Sequence, residues 1–593
     1  MYCYEQNLGK AYAARLPTLG QSMAEVLGFF GVKRIYGVGG DFAANLISAF
    51  ETSLELCPSS NEMHAAFSAC AQAELEGLGV CLTTYTVGSL PCMSAAALAM
   101  AENLPLVFIS GAPGESEIGD VAIHHTVHGR SAWQTRLDAA LQAFAGLGMR
   151  AERLQGQRNS GQPNMAGEHF LQLVNHAWQH RQPVFVEVPR DQVFALTQAL
   201  SLPAHPGLLR PVEQVLSGAG LIAEEIARRL RDCKYPVLFI GDAVKHNPRL
   251  RAQLLAFCER LSIPFATSWF AKGLFDEFHP LCLGAYNGVF SDNPSRVYIE
   301  QQADYVLDVG SSIFSQDTNT AFSTGSHFIH AMQNKTVLKG TSVGEGDLIE
   351  LFDCLTACPL PSFDFTLPNW AAPAVEPQAK LDFHNLAQTL NYLQARDPHP
   401  YLYLPEVGNS YFASYGLRNR LGTVGRGWLT NPWYGAMGTC LPYAREAARC
   451  IKGKQGDERV VVIVGDGGLH FQLNELIELQ KDQTAVIIIY MRNNLFHLGK
   501  SSDAPIYYCN DPAFDVDKLI SAYGGRVSHC YDVGQFCQAF AEAATNNQGI
   551  TLISVQASLE SQYQCREITL LNLYIRSQNG DEQARAAWLA ATG

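Results

Sequence analysis

Short apolar runs alternate with amphipathic stretches along nearly the whole chain, and this alternation predicts parallel sheets covered by helices. In the first third, strands are predicted in "RIYGV", "VCLTTY", "PLVFIS" and "PVFVEVP", with helices at Ala43–Phe50, Glu62–Glu76 and Ser94–Glu102. The middle third repeats the pattern in "YPVLFIGD", "IPFATSW" and "ADYVLDVGS", and the last third in "YLYLPEVGNS", "VVVIV", "TAVIIIYM" and "GITLISVQA". We therefore expect an α/β protein of three domains, each a mostly parallel sheet flanked by helices.

Two irregular segments that contain several prolines separate these blocks and predict the domain boundaries. They are "SLPAHPGLLRPVE" and "CPLPSFDFTLPNWAAPAVEPQ", and prolines at this density interrupt both helices and strands. The predicted organisation is a first domain at 1–191, a linker at 192–214, a central domain at 215–357, a linker at 358–378 and a third domain at 379–593. The segment Leu147–His169 is predicted to be a polar, flexible insertion near the entrance of a site.

Composition and charge exclude several classes of protein. The chain has 593 residues, of which 47% are hydrophobic and 17% charged, as in ordinary globular proteins. Its net charge of -14 is spread along the chain, which argues against a nucleic-acid or anionic-membrane partner. The 16 cysteines are scattered without a CxxC pair, which favours reduced thiols over disulfides or zinc. Since no apolar run approaches the ~20 residues of a bilayer span and no secretory signal begins the chain, we expect a soluble, cytoplasmic protein.

The stretch from Val460 to Lys500 carries the most specific chemistry. "VVVIV" is continuous and apolar, as in a strand buried on both faces, and "TAVIIIYM" predicts the next strand. Between them, apolar residues at helical spacing predict one buried helix face, made of Leu469, Leu473, Leu476 and Ile477. Ligands of such sheets bind at the carboxyl ends of the strands, which is where Asp466 and Asn494 lie.

Glycines surround the aspartate of this turn. Gly465, Gly467 and Gly468 allow the backbone to approach a ligand closely, and they precede a helix whose free N–H groups suit an anion. One carboxylate from Asp466 and one amide oxygen from Asn494 form a sparse set of hard ligands, which leaves room for phosphate oxygens around Mg²⁺. A tight β–α turn with a capping aspartate is the alternative that these residues alone leave open.

Motifs along nearly the whole chain resemble those of thiamine diphosphate (ThDP)-dependent enzymes, in which GDG is followed, after a helix and a strand, by NN. The closest resemblance is to the pyruvate and indolepyruvate decarboxylase group. It includes "YGVGGDFAANL", "NEMHAAFSACAQAE", "IHHTVHG", "WFAKGLFDEFHPLCLGAYNG" and "PEVGNSYF", in the order of that family. The resemblance implies ThDP and Mg²⁺ as cofactors, a 2-keto acid as substrate, and a homodimer or homotetramer whose sites form between subunits.

The resemblance also assigns cofactor-binding residues. Glu62 would bind the aminopyrimidine ring of ThDP and promote activation of its reactive carbon; alone, a glutamate here could simply be favoured by the helix dipole. Met437, with Gly435 beside it in "WYGAMGTCLP", would hold the cofactor in its bent shape, although an apolar residue at this position could equally pack in a core. Asp466, Asn494 and the main-chain carbonyl of Phe496 would bind Mg²⁺.

Asp41, His124 and His125 match the polar acid–base cluster of the decarboxylases. Histidines titrate near neutral pH, so an adjacent pair suits proton transfer. Taken alone, the two histidines could be ordinary surface residues and Asp41 a helix N-cap. Acetolactate synthase-type carboligases generally lack the histidine pair, so its presence favours a decarboxylase.

One position departs from the family. The decarboxylases carry a glutamate at the sixth position after the second asparagine, where this chain has Lys500. That glutamate helps to expel CO₂ and delivers the proton that releases the aldehyde, whereas a lysine reverses the local charge. We favour non-oxidative decarboxylation of a 2-keto acid to an aldehyde. Lys500 favours a carboligase as the alternative. A catalytically silent ThDP-binding relative is a third hypothesis, against which the retained Glu62 and metal motif argue.

Overall fold

The structure is a computed structural model that describes residues 16–119, 123–128, 135–154, 164–209, 218–291, 294–312, 328–332, 335–338, 341–364, 366–367, 370–494, 515–558 and 565–592. The chain divides into two compact units, Met1–Val212 and Glu213–Gly593. Among the helices of the described ranges, none has both the length and the apolar character needed to cross a bilayer.

A six-stranded parallel sheet forms the centre of the first unit. Its strands, in spatial order, are β2 (Glu55–Pro58), β1 (Arg34–Gly37), β3 (Gly79–Thr83), β4 (Leu106–Ala112), β8 (Val184–Pro189) and β7 (Arg150–Arg153). A short antiparallel pair, β5 (Val127–His128) and β6 (Thr135–Arg136), lies outside this sheet. The α-helices of the unit are Leu19–Phe29, Ala44–Phe50, Glu62–Glu76, Thr86–Ser89, Met93–Ala101, Ala139–Gly146 and Ala166–His180.

Local signals explain why the helix Glu62–Glu76 begins and ends where it does. The side chain of Asn61 accepts a hydrogen bond from the His64 N–H and so caps the first turn. At the other end Gly77 adopts φ 94, a left-handed conformation that glycine reaches without strain. The eleven residues from His64 to Glu74 are buried, because the helix packs on β3 and on the helix Met93–Ala101. The helix predicted over Glu62–Glu76 therefore has the bounds that the structure gives it.

Two edge strands of this sheet were absent from the predicted pattern. β7 lies inside 147–169, so the prediction of a flexible insertion is wrong for Arg150–Arg153, which pair in parallel with β8. The flanking residues Met149 and Leu154 are buried, whereas the strand itself carries polar side chains because it lies at an edge. Residues 155–163 of that segment lie outside the described residues.

The second unit contains two sheets. The first has the order β11 (Cys282–Ala285), β10 (Phe265–Thr267), β9 (Pro236–Ile240), β12 (Tyr305–Val309), β13 (Phe328–Met332), β14 (Lys335–Leu338) and β15 (Thr341–Gly344), and β13 to β15 pair antiparallel. The second is fully parallel, in the order β16 (Tyr401–Pro405), β17 (Arg459–Gly465), β18 (Val486–Arg492), β20 (Ile550–Gln556) and β19 (Arg526–Cys530).

Helices cover these two sheets. The α-helices before β16 are Ala219–Asp232, Pro248–Leu261, Pro294–Val297, Leu348–Ala357 and Phe383–Arg396. Those after β16 are Asn409–Ala413, Cys440–Gly453, Asp466–His470, Glu475–Asp482, Val516–Ala522, Val533–Thr545, Arg566–Gln578 and Glu582–Thr592. The α/β class with mostly parallel sheets is therefore confirmed.

A buried ion pair connects the layers of the second unit. Lys272 Nζ lies 3.0 Å from Glu277 Oε2 and also donates to the Leu417 carbonyl oxygen at 2.5 Å. The same Glu277 oxygen accepts the backbone N–H of Asn419 at 3.0 Å. Both charged side chains are almost fully buried, and they are tolerated because each is paired and hydrogen-bonded. Through these contacts Lys272 and Glu277, which follow β10, hold the segment of Leu417 and Asn419, which lies between β16 and β17.

The single helix predicted after the GDGG turn is wrong, because the structure contains two helices, Asp466–His470 and Glu475–Asp482. In the turn between them, the side chain of Gln472 points inwards, where it accepts the Leu441 N–H at 2.8 Å and donates to the Gly468 carbonyl oxygen at 2.8 Å. Of the four residues predicted to form one buried helix face, Leu469 and Leu476 are buried, whereas Leu473 and Ile477 are only partly buried.

Candidate active site

Four of the predicted site residues lie at one edge of the first-unit sheet. Asp41 follows β1, Glu62 begins the helix after β2, and His124 and His125 lie in the loop after β4. These strands are mutually parallel, so their carboxyl ends meet at the same edge. The sheet topology thus brings together side chains that are far apart in the sequence.

The Glu62 side chain is half-buried in the first helical turn, beside a residue that has no side chain. A Cβ atom added at Gly88 would lie 3.5 Å from Glu62 Oε1, an ordinary contact distance, but only 2.9 Å from Thr84 Cγ2, so Thr84 is the neighbour that favours glycine there. Cys92 Sγ donates to the Glu62 main-chain oxygen at 3.4 Å and holds the helix start in place. A hydrogen bond with Cys81, together with burial, raises the pKa of the Cys92 thiol well above its usual value, so that thiol remains a proton donor.

Asp41 and the two histidines form a cluster of polar side chains in which His124 is hydrogen-bonded to Asp41. His124 Nε2 lies 2.8 Å from Asp41 Oδ2, and His125 Nε2 lies 4.0 Å from Asp41 Oδ1. Phe42 is fully buried beneath them, with its ring centroid 4.9 Å from the His124 ring and 6.0 Å from the His125 ring. Burial by itself raises the pKa of Asp41, but hydrogen bonds from His124 and the Phe42 backbone outweigh that effect, so the pKa lies below its usual value.

The residues Arg190 and Glu117 belong to this cluster and were missed by the sequence analysis. Arg190 Nη1 lies 3.9 Å from Asp41 Oδ2, and its guanidinium group lies 4.8 Å from the Phe42 ring centroid. Arg190 Nε donates to Glu117 Oε2 at 2.7 Å. The signal was present in "VEVPRD", because Arg190 directly follows a buried strand and so lies at the same carboxyl edge as Asp41.

In the second unit, Asp466 is buried at the carboxyl end of β17. Its Oδ1 accepts the Tyr490 hydroxyl at 2.7 Å, and its Oδ2 accepts the backbone N–H groups of Asn493 at 3.0 Å and Asn494 at 2.9 Å. Asn494 adopts φ 58, a left-handed conformation that asparagine tolerates better than most residues. The carboxylate therefore holds the turn after β18 against the turn after β17, which brings Asp466 and Asn494 together.

A buried carboxylate, Glu406, connects this turn to the loop that contains Met437. Its oxygens accept the backbone N–H groups of Gly438 at 3.2 Å and Cys440 at 3.3 Å and the side-chain amide of Gln472 at 2.7 Å. A Cβ atom added at Gly468 would lie 2.4 Å from Glu406 Cγ, so only glycine fits there. Glu406 is the second residue of "PEVGNSYF" and was not predicted as a site residue.

The residues present fit a magnesium-bound diphosphate. Asp466 and Asn494 contribute oxygen donors of the kind that Mg²⁺ prefers, from adjacent strand ends. Met437 is 39% exposed, so it offers an apolar surface beside this polar turn, and Gly435 is exposed with φ 67. Gly465 and Gly467 are partly exposed at the same turn. Phe496 and Lys500, the remaining predicted site residues, lie outside the described residues.

Comparison with known proteins adds independent evidence. Three family models match the chain in order: the N-terminal TPP binding domain of thiamine pyrophosphate (TPP, a synonym of ThDP) enzymes at residues 17–139, the central domain at 223–344 and the C-terminal TPP binding domain at 406–555. The chain is 27% identical to an indole-3-pyruvate decarboxylase of Azospirillum brasilense over 491 residues, which cover 80% of this chain and 83% of the relative.

Two further relatives match over a larger share of the chain. A probable pyruvate decarboxylase of Schizosaccharomyces pombe is 23% identical over 90% of this chain and 92% of its own length. An alpha-keto-acid decarboxylase of Mycobacterium leprae is 23% identical over 91% of this chain and 92% of its own length. Three matched domains in the family order, together with relatives that align over most of the sequence, show that the chain belongs to the thiamine diphosphate-dependent 2-keto acid decarboxylase family.

Proposed function

We propose that the protein catalyses the ThDP- and Mg²⁺-dependent, non-oxidative decarboxylation of a 2-keto acid to an aldehyde and CO₂. The observation that carries this proposal is the 2.8 Å contact between His124 Nε2 and Asp41 Oδ2 at the sheet edge that also bears Glu62. The names of the relatives support the same reaction class, since they are decarboxylases of indolepyruvate, pyruvate and alpha-keto acids.

The reaction requires one proton. A 2-keto acid anion that loses CO₂ must take up a proton at the former keto carbon to become an aldehyde, so the enzyme needs a proton source near that carbon. When bound, ThDP supplies a carbon nucleophile and an electron sink for breaking the bond to the carboxylate. Asp41, His124 and His125 are the groups of the first unit with the chemistry to hold and deliver the proton.

The remaining predicted residues bind and orient the cofactor in this proposal. Glu62 would share a proton with the aminopyrimidine ring. Asp466, Asn494 and the main-chain oxygen of Phe496 would hold Mg²⁺, and Met437 would give the rings of the cofactor an apolar support. Gly435, Gly465, Gly467 and Gly468 allow close approach of the backbone to the diphosphate.

We also propose the assembly and the location. The family resemblance favours a homodimer or homotetramer in which each site is completed by a second copy of the chain. All fourteen cysteines among the described residues are free thiols, which favours a reducing compartment such as the cytoplasm.

Lys500 favours a second candidate, a ThDP-dependent carboligase. If this lysine does not deliver the proton that the family glutamate delivers, the former keto carbon would be left to form a bond with a second carbonyl compound. The product is then an acyloin or a longer keto compound instead of an aldehyde. Lys500 is the single sequence feature behind this candidate.

Incubation of the pure protein with ThDP, Mg²⁺ and a panel of 2-keto acids separates the candidates. CO₂ with aldehyde supports the decarboxylase, and CO₂ with acyloin supports the carboligase. Absence of CO₂ from every substrate contradicts both and supports the silent relative. We expect Glu62→Ala to retain ThDP, measured by calorimetric titration, and to lose turnover. Glu51→Ala, which removes an exposed glutamate outside the site, is the matched control and should leave both properties unchanged.

A further inference from the structure

We infer that Arg190 is a positioning residue that fixes the Asp41 carboxylate and sets the pH range in which the Asp41–His124 pair transfers a proton. The inference rests on the proposed function for its catalytic meaning, but the geometry behind it belongs to the first unit alone. Arg190 Nη1 approaches Asp41 Oδ2, the same oxygen that contacts His124, at 3.9 Å. The guanidinium and the imidazole therefore act on one carboxylate oxygen.

Neighbouring loops hold the arginine in this place. Glu117 binds the guanidinium through both of its carboxylate oxygens, with Nε at 2.7 Å from Oε2 and Nη2 in contact with Oε1. The Gly114 N–H donates to Glu117 Oε2 at 2.8 Å, which anchors the glutamate to the loop after β4. The Asn45 side chain donates to the Arg190 carbonyl oxygen at 2.8 Å, which anchors the arginine backbone to the helix Ala44–Phe50.

A second contact links the same two loops. The backbone N–H of Glu115 donates to Asp191 Oδ2 at 3.0 Å. The Phe42 ring, which supports both histidines, also lies 4.8 Å from the Arg190 guanidinium. Arg190 is thus held by a bidentate ion pair, by its backbone and by an aromatic face, so its distance from Asp41 is set by fixed elements of the fold. Fixed placement is what a positioning residue requires.

The charges around the pair define the expected effect. Asp41 faces His124, His125 and Arg190, and Arg190 in turn faces Glu117, Asp191 and Asp41. The guanidinium keeps its charge at every pH used in an assay, so it favours the carboxylate form of Asp41. We expect loss of this charge to raise the proton affinity of the Asp41–His124 pair. Because the cluster is exposed to solvent, we expect a shift of about half a pH unit.

Two substitutions of Arg190 and one control test the inference. Arg190→Gln removes the charge, and Arg190→Lys keeps it without the bidentate geometry. Arg136→Gln is the matched control, because Arg136 Nε also lies 3.9 Å from a carboxylate oxygen, that of Asp138, with both side chains exposed. The titration of His124 is followed in the holoenzyme by NMR of ¹³C-labelled histidine, with the signal assigned from the His124→Asn protein. The pH profile of kcat/KM is recorded in parallel.

In Arg190→Gln we expect the titration midpoint of His124, and the corresponding limb of the pH profile, to move up by about half a pH unit. In Arg190→Lys both should return towards the wild-type value. In Arg136→Gln both should stay unchanged. An unmoved His124 midpoint in Arg190→Gln overturns the inference. A higher KM without a shift in pH also overturns it, because Arg190 would then bind the substrate carboxylate. If the His124 titration midpoint shifts in Arg190→Gln but no 2-keto acid releases CO₂, the proposed function fails, while the electrostatic coupling of Arg190 to the Asp41–His124 pair stands.

Discussion

Replacement of Glu406 by alanine tests whether one buried carboxylate organises the predicted cofactor site. The Glu406 side chain is 1% exposed and accepts hydrogen bonds from Gly438, Cys440 and Gln472. Burial raises the pKa of Glu406, while its hydrogen bonds with Cys440, Gln472 and Val407 oppose that rise. The buried Glu406 carboxyl group therefore needs these hydrogen-bond donors, and the donors need Glu406 as their acceptor.

The magnitude follows from the partners that lose their acceptor. In Glu406→Ala the backbone N–H groups of Gly438 and Cys440 lose their acceptor, and each such orphaned donor costs about 1–3 kcal/mol. The Val407 N–H, which donates to Glu406 Oε1 at 3.0 Å, also loses its acceptor, but Val407 is only partly buried. Gln472 keeps its bond to the Gly468 carbonyl oxygen and contributes less. With the cavity left by the removed atoms, we expect a local loss of about 3–5 kcal/mol. Glu406→Gln keeps the volume but places an NH₂ group where one carboxylate oxygen accepts two hydrogen bonds, so we expect a loss of about 2 kcal/mol.

Hydrogen–deuterium exchange of the Gly438 and Cys440 amides measures this loss where it occurs. A loss of about 3 kcal/mol corresponds to exchange faster by about two orders of magnitude, since 1.4 kcal/mol is a factor of ten. Calorimetric titration with ThDP and Mg²⁺ should show binding at least about tenfold weaker, because Met437 lies on the released loop. The control is Glu458→Ala, which removes another buried carboxylate, one that accepts the Val424 N–H at 3.0 Å. If the Gly438 and Cys440 amides exchange at the same rate in Glu406→Ala and Glu458→Ala, the reasoning fails.

Three further outcomes are expected. Gly111→Ala should destabilise the first unit by about 2 kcal/mol and lower turnover, because its Cβ would lie 2.1 Å from the Phe42 carbonyl oxygen. Gly220→Ala, whose Cβ would meet nothing within 4 Å, should change neither property, and thermal melts and activity assays compare the two variants. Burial raises the pKa of Glu187 from 4.5 to about 7, so the native state binds more protons than the unfolded state between these values. The free energy of unfolding of the wild type, relative to Glu187→Gln, should therefore fall by about 3 kcal/mol as the pH rises through this window in urea titrations; a flat difference contradicts it. Lys500→Glu should raise the ratio of aldehyde to acyloin in product analysis, and an unchanged ratio would show that this position does not control the product.

Local patterns were sufficient for the elements with continuous apolar runs. The strands β4, β8, β17 and β18 are nearly fully buried, and such a strand consists mostly of apolar residues, so its sequence alone identifies it. The helix Glu62–Glu76 was equally readable, because its cap at Asn61 and its stop at Gly77 are local interactions. The edge strands β2 and β7 were missed, since each has only four residues with little burial and forms only because a neighbouring strand offers hydrogen bonds.

The site residues likewise fall into those that the sequence identifies and those that only the tertiary structure reveals. The order of residues identifies Asp466 and Asn494 as ends of adjacent strands, because sheet topology follows from alternating strands and helices. It does not determine that Asp41 contacts His124 across 83 residues, which depends on a loop in which His125 adopts φ 60. The sequence places Arg190 at the end of a buried strand, but the contacts of Arg190 and Glu406 became visible only in three dimensions. Their partners come from different loops, and the conformation of a loop depends on the tertiary packing around it, which no local period of apolar residues encodes.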